Sequence, residues 1–512
     1  MDKTKVSTST IWMGALPPQI LLFAVACGGG GTPTPTPPPP AVSVSVSSAS
    51  SIVQANATVQ LQASVKNSST QDVSWAVTQP TGLGSISASG LYSAPAVLNE
   101  TVDVEISATS VADPTKSASL KITAFSAPAI AVRQNAGRGE FYTIHDGVAF
   151  VPRGNNYLHF SPGMIRLQDG GVGIGRSTLN STFYDPARTE LAMAAMESQG
   201  YNVVRTFLDI LQKGDIGNES GTGLAKQYLA NLTDFMVRAK AHHIYVLPIF
   251  EELPLAGGYR DFITGELQVN FGTHNIQFLT QPGVDACRKF WQDLVQGLVA
   301  AHAPMDALLA YEITGEFAIL NDSPPMDRAS GTVQTANGST YNLSDPVARV
   351  ALQNDNMVFY ANAMREVIRS LNPDAIVVMG FFSYNGLNPP PFPAIANSDM
   401  DFVDLHGWPD SSGTTVAQLV ANWQVNGDFR KPIIMGEYDG FTDVFPTPAL
   451  AADGLKSWQI ASCSAGFDGW ILWSWDTEPN ELPGLNIWSA LSDNGEINHA
   501  LAPLLRPNPC SN

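Results

Sequence analysis

Lys431-Pro-Ile-Ile-Met-Gly-Glu-Tyr438 is an apolar run too short for a helix, entered through a proline and closed by a carboxylate. A run apolar on both faces fits a strand of a parallel sheet whose two sides are covered. Similar runs recur along the chain. Residues 150–157, 202–209, 244–251, 308–316, 376–382, 402–408 and 469–475 read alike, with 432–438 as the seventh of eight. Helical patterns lie between them at 186–199, 224–242, 284–301, 345–370, 415–423 and 448–462. The Pro-rich stretch before the sixth strand has room for a short helix only. Eight strand–helix units over about 385 residues predict an α/β fold, a (β/α)8 TIM barrel with long insertions spanning 128–512. A doubly wound open sheet competes, but no GxGxxG or Walker A sequence follows any strand.

The front of the chain reads differently. Val42-Ser-Val-Ser-Val46, Val59-Gln-Leu-Gln-Ala63, Val73-Ser-Trp-Ala-Val77 and Val102-Asp-Val-Glu-Ile106 alternate with period two, and 116–124 closes the series. Short alternating strands predict an all-β sandwich over 41–127, with Trp75 in its core and a spacer role. Gly84-Ser-Ile-Ser-Ala-Ser-Gly-Leu-Tyr-Ser-Ala-Pro95 resembles a signature of bacterial immunoglobulin-like domains. Before it, Lys3 and Lys5 precede an apolar stretch at 11–26 that ends in Cys27, the layout of an export signal over 1–27. Ala24-Val-Ala-Cys27 resembles a lipobox, which implies lipidation of Cys27 and anchoring to the outer or cytoplasmic membrane. The Gly/Thr/Pro-rich linker at 28–40 would hold the folded body off the surface. The resulting expectation is an exported monomer, a cell-surface or periplasmic lipoprotein or a secreted protein. Export permits disulfides, and Cys287, Cys463 and Cys510 allow one pair with one thiol left over.

Composition narrows the partners. Lys plus Arg number 27 against 46 Asp plus Glu, a formal charge of −19 over 512 residues. Nucleic acid, which demands a basic face, is excluded. At 44% hydrophobic residues the chain can build a large core, so global disorder is excluded too.

A TIM barrel carries its chemistry at the C-terminal ends of its strands. Those ends present Arg153, Asn155 and Asn156, then Arg205, Glu251 and Glu252, Glu312 and Glu316, His406 and Trp408, Glu437, and finally Trp473 and Trp475. Glu316 and Glu437, on strands four and seven, would face each other across the mouth. Two such carboxylates, one protonated and one ionised, are the apparatus for cleaving a glycosidic bond. Trp408, Trp473 and Trp475 offer surfaces for a sugar to stack on, and Trp473 and Trp475, two apart on a strand, share a face. Arg205 beside a carboxylate would hold it ionised. Glu312, one pleat layer below Glu316, is read as a buried partner of Arg205. Glu251 and Glu252 either line the cleft or solvate a loop, the loop being preferred, and His242-His243 is read as a helix C-terminus. No metal or cofactor is expected.

At these residues the chain is similar to the clan A glycoside hydrolases, most closely family 5. Phe150-Val-Pro-Arg-Gly-Asn-Asn156, Asn202-Val-Val-Arg205, Tyr311-Glu-Ile-Thr-Gly-Glu316, Glu437 and Trp473 or Trp475 carry the resemblance over about 130–490. It implies Glu316 as acid/base, Glu437 as nucleophile, and a retaining double displacement on β-linked poly- or oligosaccharide, with β-mannan and β-glucan foremost. Arg205, Asn156, His406, Trp408, Trp473 and Trp475 are then expected to bind substrate. Two positions depart from the family pattern. Gly315 stands where the family has the Asn that touches the 2-hydroxyl, and Trp408 stands where it has Tyr. Asn155, Asn156 or Tyr384 could substitute. The alternatives are a noncatalytic carbohydrate-binding lipoprotein on a decayed barrel, and a structural surface protein whose front domain binds a partner.

Overall fold

The computed structural model describes residues 40–166, 172–210, 213–382, 391–411, 413–425, 427, 429–475 and 486–511. The export signal with Cys27, the linker up to residue 39, and Tyr384 lie outside the described residues.

Barrel strands one to three are Arg153–Tyr157, Val203–Phe207 and Tyr245–Ile249. Strand four is Tyr311–Glu312, and strand five is split into Val377–Val378 and Gly380–Phe382. Strands six to eight are Val403–His406, Ile433–Met435 and Gly469–Trp475. Every neighbouring pair is parallel. Strand one lies between two and eight, while the two pieces of strand five lie beside four and six, so the sheet closes on itself. Strand four is shorter than the run 308–316. Beyond Glu312 the chain leaves the regular ladder but stays pinned, with Gly315 N–H donating to Phe250 O at 3.1 Å and Phe317 N–H to Gly380 O at 2.9 Å.

Local chemistry sets the outer helices. Asp185, Thr280, Asp345 and Thr447 each accept a first-turn backbone N–H, and each is followed by a proline within the first two helical positions. That pairing satisfies an orphan donor and fixes φ where the helix starts. The helices run Pro186–Ser198, Gln281–Ala300, Pro346–Leu371 and Pro448–Ser464. Phe392–Asn397 is the short helix before strand six. No helix among the described residues is long and apolar enough to cross a membrane.

Phe150 does not begin strand one. It ends a three-stranded antiparallel sheet, Ile130–Asn135, Arg138–Thr143 and Ala149–Phe150. Pro152 intervenes before Arg153, and a residue without N–H cannot carry a ladder onward. This sheet sits under the barrel. Ile130 and Phe141, both buried, pack with Val203, Leu247, Val378, Ile434 and Ile471. The interior is thus closed at its N-terminal end, leaving polar side chains to fill the other.

The front region forms two four-stranded sheets around Val53, Val59, Leu61, Tyr92, Val104, Ile106, Ile122 and Ala124. Tyr92 is its fully buried aromatic, with its hydroxyl donating to Leu83 O at 2.9 Å. Trp75 is only partly buried at the edge of that core, a correction to its expected place. Gly90 lets it lie there: φ is +82°, and an added Cβ would stand 3.0 Å from the indole. These sheets are docked on the barrel. Ile52 and Phe125 belong to the core that the barrel helices build, and Thr101 donates to Ala303 O at 2.9 Å.

Cys463 and Cys510 form a disulfide with their Cα atoms 5.6 Å apart. Cys287 is buried and unpaired.

Candidate active site

Two layers of charge occupy the C-terminal half of the barrel. In the lower layer the Arg205 guanidinium donates from Nε and Nη2 to the two oxygens of Glu312, both at 2.7 Å. Its Nη1 reaches upward to Glu437 Oε1 at 2.6 Å and sideways to Asn156 Oδ1 at 2.7 Å. Arg205 and Glu312 have no exposed surface. Bidentate, charge-assisted bonds of this kind fix both partners in a plane. Burial alone would discharge Arg205, yet Glu312 and Glu437 hold it charged above its ordinary range. Burial pushes the Glu312 carboxyl up to about 7 against the pull of Arg205.

In the upper layer His406 Nδ1 lies 2.9 Å from Glu316 Oε1 and 3.5 Å from Glu437 Oε2. Carboxylate oxygens of Glu316 and Glu437 and a ring nitrogen of His406 all lie within 4.8 Å of one another. Burial raises the Glu437 carboxyl above its ordinary range, with His406 and then Arg205 acting in the opposite direction. The two carboxylates differ in access: the Glu316 side chain is 44% exposed and that of Glu437 only 7%. Glu312, Asp404 and His406 form a second close group below. Proximity of this sort can hold a metal ion, but Arg205 already engages both oxygens of Glu312 and supplies the positive charge.

A cavity of about 540 Å³ opens over this layer. Glu316 and Glu437 line it, together with Glu251, Asp410, Gly315 and a set of aromatic rings, Phe207, Phe382, Trp408, Phe441 and Trp473. Trp473 meets Phe207 at 5.4 Å and Trp408 at 6.0 Å, and Trp408 meets Phe441 at 5.3 Å, giving a continuous aromatic wall. A cavity with apolar walls and a few convergent polar groups is what a small-molecule or glycan site requires.

The expected site residues divide into three groups. Glu316, Glu437, Trp408 and Trp473 line the cavity. Arg205, Asn156 and His406 are wholly buried and do not line it. Arg205 and His406 meet the carboxylates from beneath the cavity, and Asn156 meets Arg205. Asn156 is saturated, donating to Gly436 O at 3.0 Å and Leu472 O at 3.3 Å while accepting from Arg205. It therefore cannot replace the side chain absent at Gly315, and Asn155 alternates to the outer face of strand one.

Trp475 lies elsewhere. It packs edge-on to Tyr201 in the outer core, 6.2 Å between ring centres. A register shift accompanies this placement. Asn155 pairs with Leu472 but Tyr157 with Trp475, so two steps on strand one match three on strand eight. Across that shift Trp475 turns to the opposite face.

Of the two readings open for Glu251, cleft or loop, the structure gives the first: it lines the cavity. Glu252 does not, and is held by Arg260 at 3.1 Å and His274 at 2.9 Å. Phe207, Phe382, Phe441 and Asp410 were not singled out in the sequence. Their positions at strand ends or just beyond were the only signal, and an aromatic there reads equally well as packing.

Gly315 has a local reason. A Cβ would stand 2.2 Å from Ile249 Cδ1 and 3.3 Å from Arg205 Nη2. Ile249 fills the space where a longer side chain would leave the backbone.

Comparison with known proteins gives no match to any protein-family model and none among curated proteins. Solved structures do match. The endo-1,4-β-mannanase from Rhizomucor miehei aligns over 74% of this chain and 100% of its own, at 16% identity and a TM-score of 0.51. The exo-β-1,4-mannosidase Op5Man5 from Opitutaceae bacterium strain TAV5 aligns over 73% of this chain and 62% of its own, at 14% identity and a TM-score of 0.48. A Bacteroides ovatus GH5 xyloglucanase aligns over 90% and 100%, at 12% identity and a TM-score of 0.42. Identity this low speaks to architecture alone, and the architecture this chain shares with the mannanase is the (β/α)8 barrel.

Proposed function

We propose that the chain is a retaining glycoside hydrolase acting on β-linked glycans, with β-mannan first in line because of the likeness to the mannanase, and β-glucan second. The observation that carries this reading is the close approach of Glu316 and Glu437 at the floor of an aromatic-walled cavity. Retaining enzymes hold their two carboxyl groups about 5–5.5 Å apart, whereas inverting ones leave room for water at about 6.5–9.5 Å. In the first step a Glu437 oxygen attacks C1 while Glu316 gives its proton to the departing glycosidic oxygen. The C1–O bond breaks and a glycosyl ester forms. In the second step water attacks C1, Glu316 takes its proton, and the ester bond breaks with its electron pair returning to Glu437. Arg205 holds the nucleophile in place through both steps. The aromatic wall supplies ring faces for sugars.

The product anomer tests this. NMR of fresh hydrolysate from a β-mannan or β-glucan oligomer should show the β-anomer first. Initial appearance of the α-anomer would remove the nucleophile role of Glu437. A chain that binds one such glycan yet hydrolyses none would favour the noncatalytic reading.

We also propose that Cys27 is lipidated, anchoring an exported monomer to the outer or cytoplasmic membrane, with the front domain, read as immunoglobulin-like, as a spacer. Palmitate label should enter the wild-type chain and be absent from Cys27→Ser. Equal labelling of both would end the anchor proposal.

A further inference from the structure

Asp404 lies beneath the carboxylate pair and has no exposed surface. Its Oδ1 accepts the Gly436 N–H at 2.7 Å, the residue immediately before Glu437. Its Oδ2 has no hydrogen-bond partner among the described residues and stands 3.8 Å from His406 Nε2, which also has none. The fit is close: a Cβ at Gly436 would stand 2.2 Å from Oδ2 and 2.3 Å from Oδ1. Glu312, its near neighbour, is neutralised by Arg205. Among the described residues Asp404 accepts from one backbone donor, and its nearest cationic group is the imidazole, with Arg205 acting on it from farther off. A buried carboxylate without a cation is costly, so the pair favours a charged His406.

We propose that Asp404 is a positioning residue for both catalytic carboxylates, setting the Glu437 backbone through Gly436 and the charge of the ring that bonds Glu316 through His406. This rests on the glycosidase reading for its consequence in catalysis, but not for the Asp404–His406 link. His406 is faced by Asp404 from its own strand, by Glu312 and Glu316 from strand four and its extension, and by Glu437 after strand seven. Arg205 reaches the group through Glu312 and Glu437. Burial alone would discharge the ring, yet Glu437, Asp404 and Glu316 outweigh it and hold His406 charged well above its ordinary range. A charged His406 donates from Nδ1 to Glu316, while a neutral ring would depend on its tautomer to do so.

Asp404→Asn separates the two links. The amide oxygen can still accept from Gly436, while the charge beside His406 is gone. Histidines labelled with 13C at Cε1, assigned with a His406→Gln variant, report the ring's titration without any substrate. Its midpoint should fall by about one pH unit or more in D404N. The alkaline limb of kcat/KM should fall with it, and kcat/KM on the acid side of that limb should change less than about tenfold. Asp404→Ala, which also loses the acceptor, should lower kcat/KM more than about tenfold at every pH. An unmoved His406 titration in D404N overturns the electrostatic link. A moved titration with an unmoved alkaline limb overturns the link to catalysis. Should D404N fail to fold, Asp404→Ser, with an uncharged acceptor, is judged by the same criteria. A wild-type chain that hydrolyses no β-glycan sinks the glycosidase reading, and the ring titration still decides whether Asp404 governs His406.

Discussion

Glu437→Gln is expected to lower kcat on the preferred β-glycan by roughly 10⁴-fold or more while leaving the fold intact. Gln keeps the volume of the side chain and an oxygen that can accept from Arg205 Nη1, now 2.6 Å from Oε1. The amide oxygen cannot form the ester that double displacement requires, so the loss falls on the chemical step and not on binding. Affinity for an oligosaccharide, read by calorimetry, should change by less than about tenfold. The wild-type chain carries a complementary signature. An activated glycoside with fluorine at C2 should leave one glycosyl mass on the peptide containing Glu437, because the fluorine slows both formation and release of the ester while the activated leaving group restores formation alone. Turnover in Glu437→Gln within tenfold of wild type would remove the residue from the mechanism.

Arg205→Met should have the second largest effect, on stability and activity together. The guanidinium lies between Glu312 and Glu437, with no part of it exposed. Removing it leaves Glu312 and Glu437 in a dry interior with only the His406 ring to offset their charge. Breaking a buried pair by deleting one partner typically costs about 3–5 kcal/mol. Urea unfolding should show a loss of that order. With its cation gone, the Glu437 carboxyl should rise further above its already elevated range, because an opposite charge favours the ionised form. The acid limb of activity therefore moves to higher pH. Arg205→Met combined with Glu312→Leu should recover part of the stability, since one stranded charge is gone, without restoring activity. A pH profile unchanged in Arg205→Met would show that Glu437 does not depend on this cation.

Much of the architecture is legible because parallel strands covered on both faces leave a clear record: continuous apolar runs alternating with helical patterns. Gly469–Trp475 was read with its observed bounds. Pro432-Ile-Ile-Met-Gly-Glu437 likewise placed its carboxylate at the mouth. What escaped was decided by contacts between distant segments. The floor sheet at 130–150 resembles the strands before it, and only the packing of Ile130 and Phe141 under the barrel distinguishes it. Trp475 was misplaced because alternation assumes an unbroken register, and the register shift opposite Asn155 and Tyr157 leaves no trace in the composition of strand eight. Arg205 and His406 stand at strand ends in the sequence, but a sequence does not tell a side chain that lines a cavity from one buried beneath it. Asp404 escaped for a related reason: a carboxylate in an apolar strand gives no sign of which backbone donor or ring it meets.

The bond between Cys463 and Cys510 closes a loop over 47 positions and ties the tail of the chain to the helix after strand seven. That tail is not idle. Arg506 O accepts from Arg153 Nη1 at 3.1 Å, and Arg153 begins strand one. Production history therefore enters the protein's behaviour. Material made where thiols stay reduced would carry the same sequence but hold this end by hydrogen bonds alone, whereas material passed through an oxidising compartment would be stapled. Two laboratories could thus hold different molecules under one sequence, and a thiol count on the purified chain belongs beside any report that it is inactive.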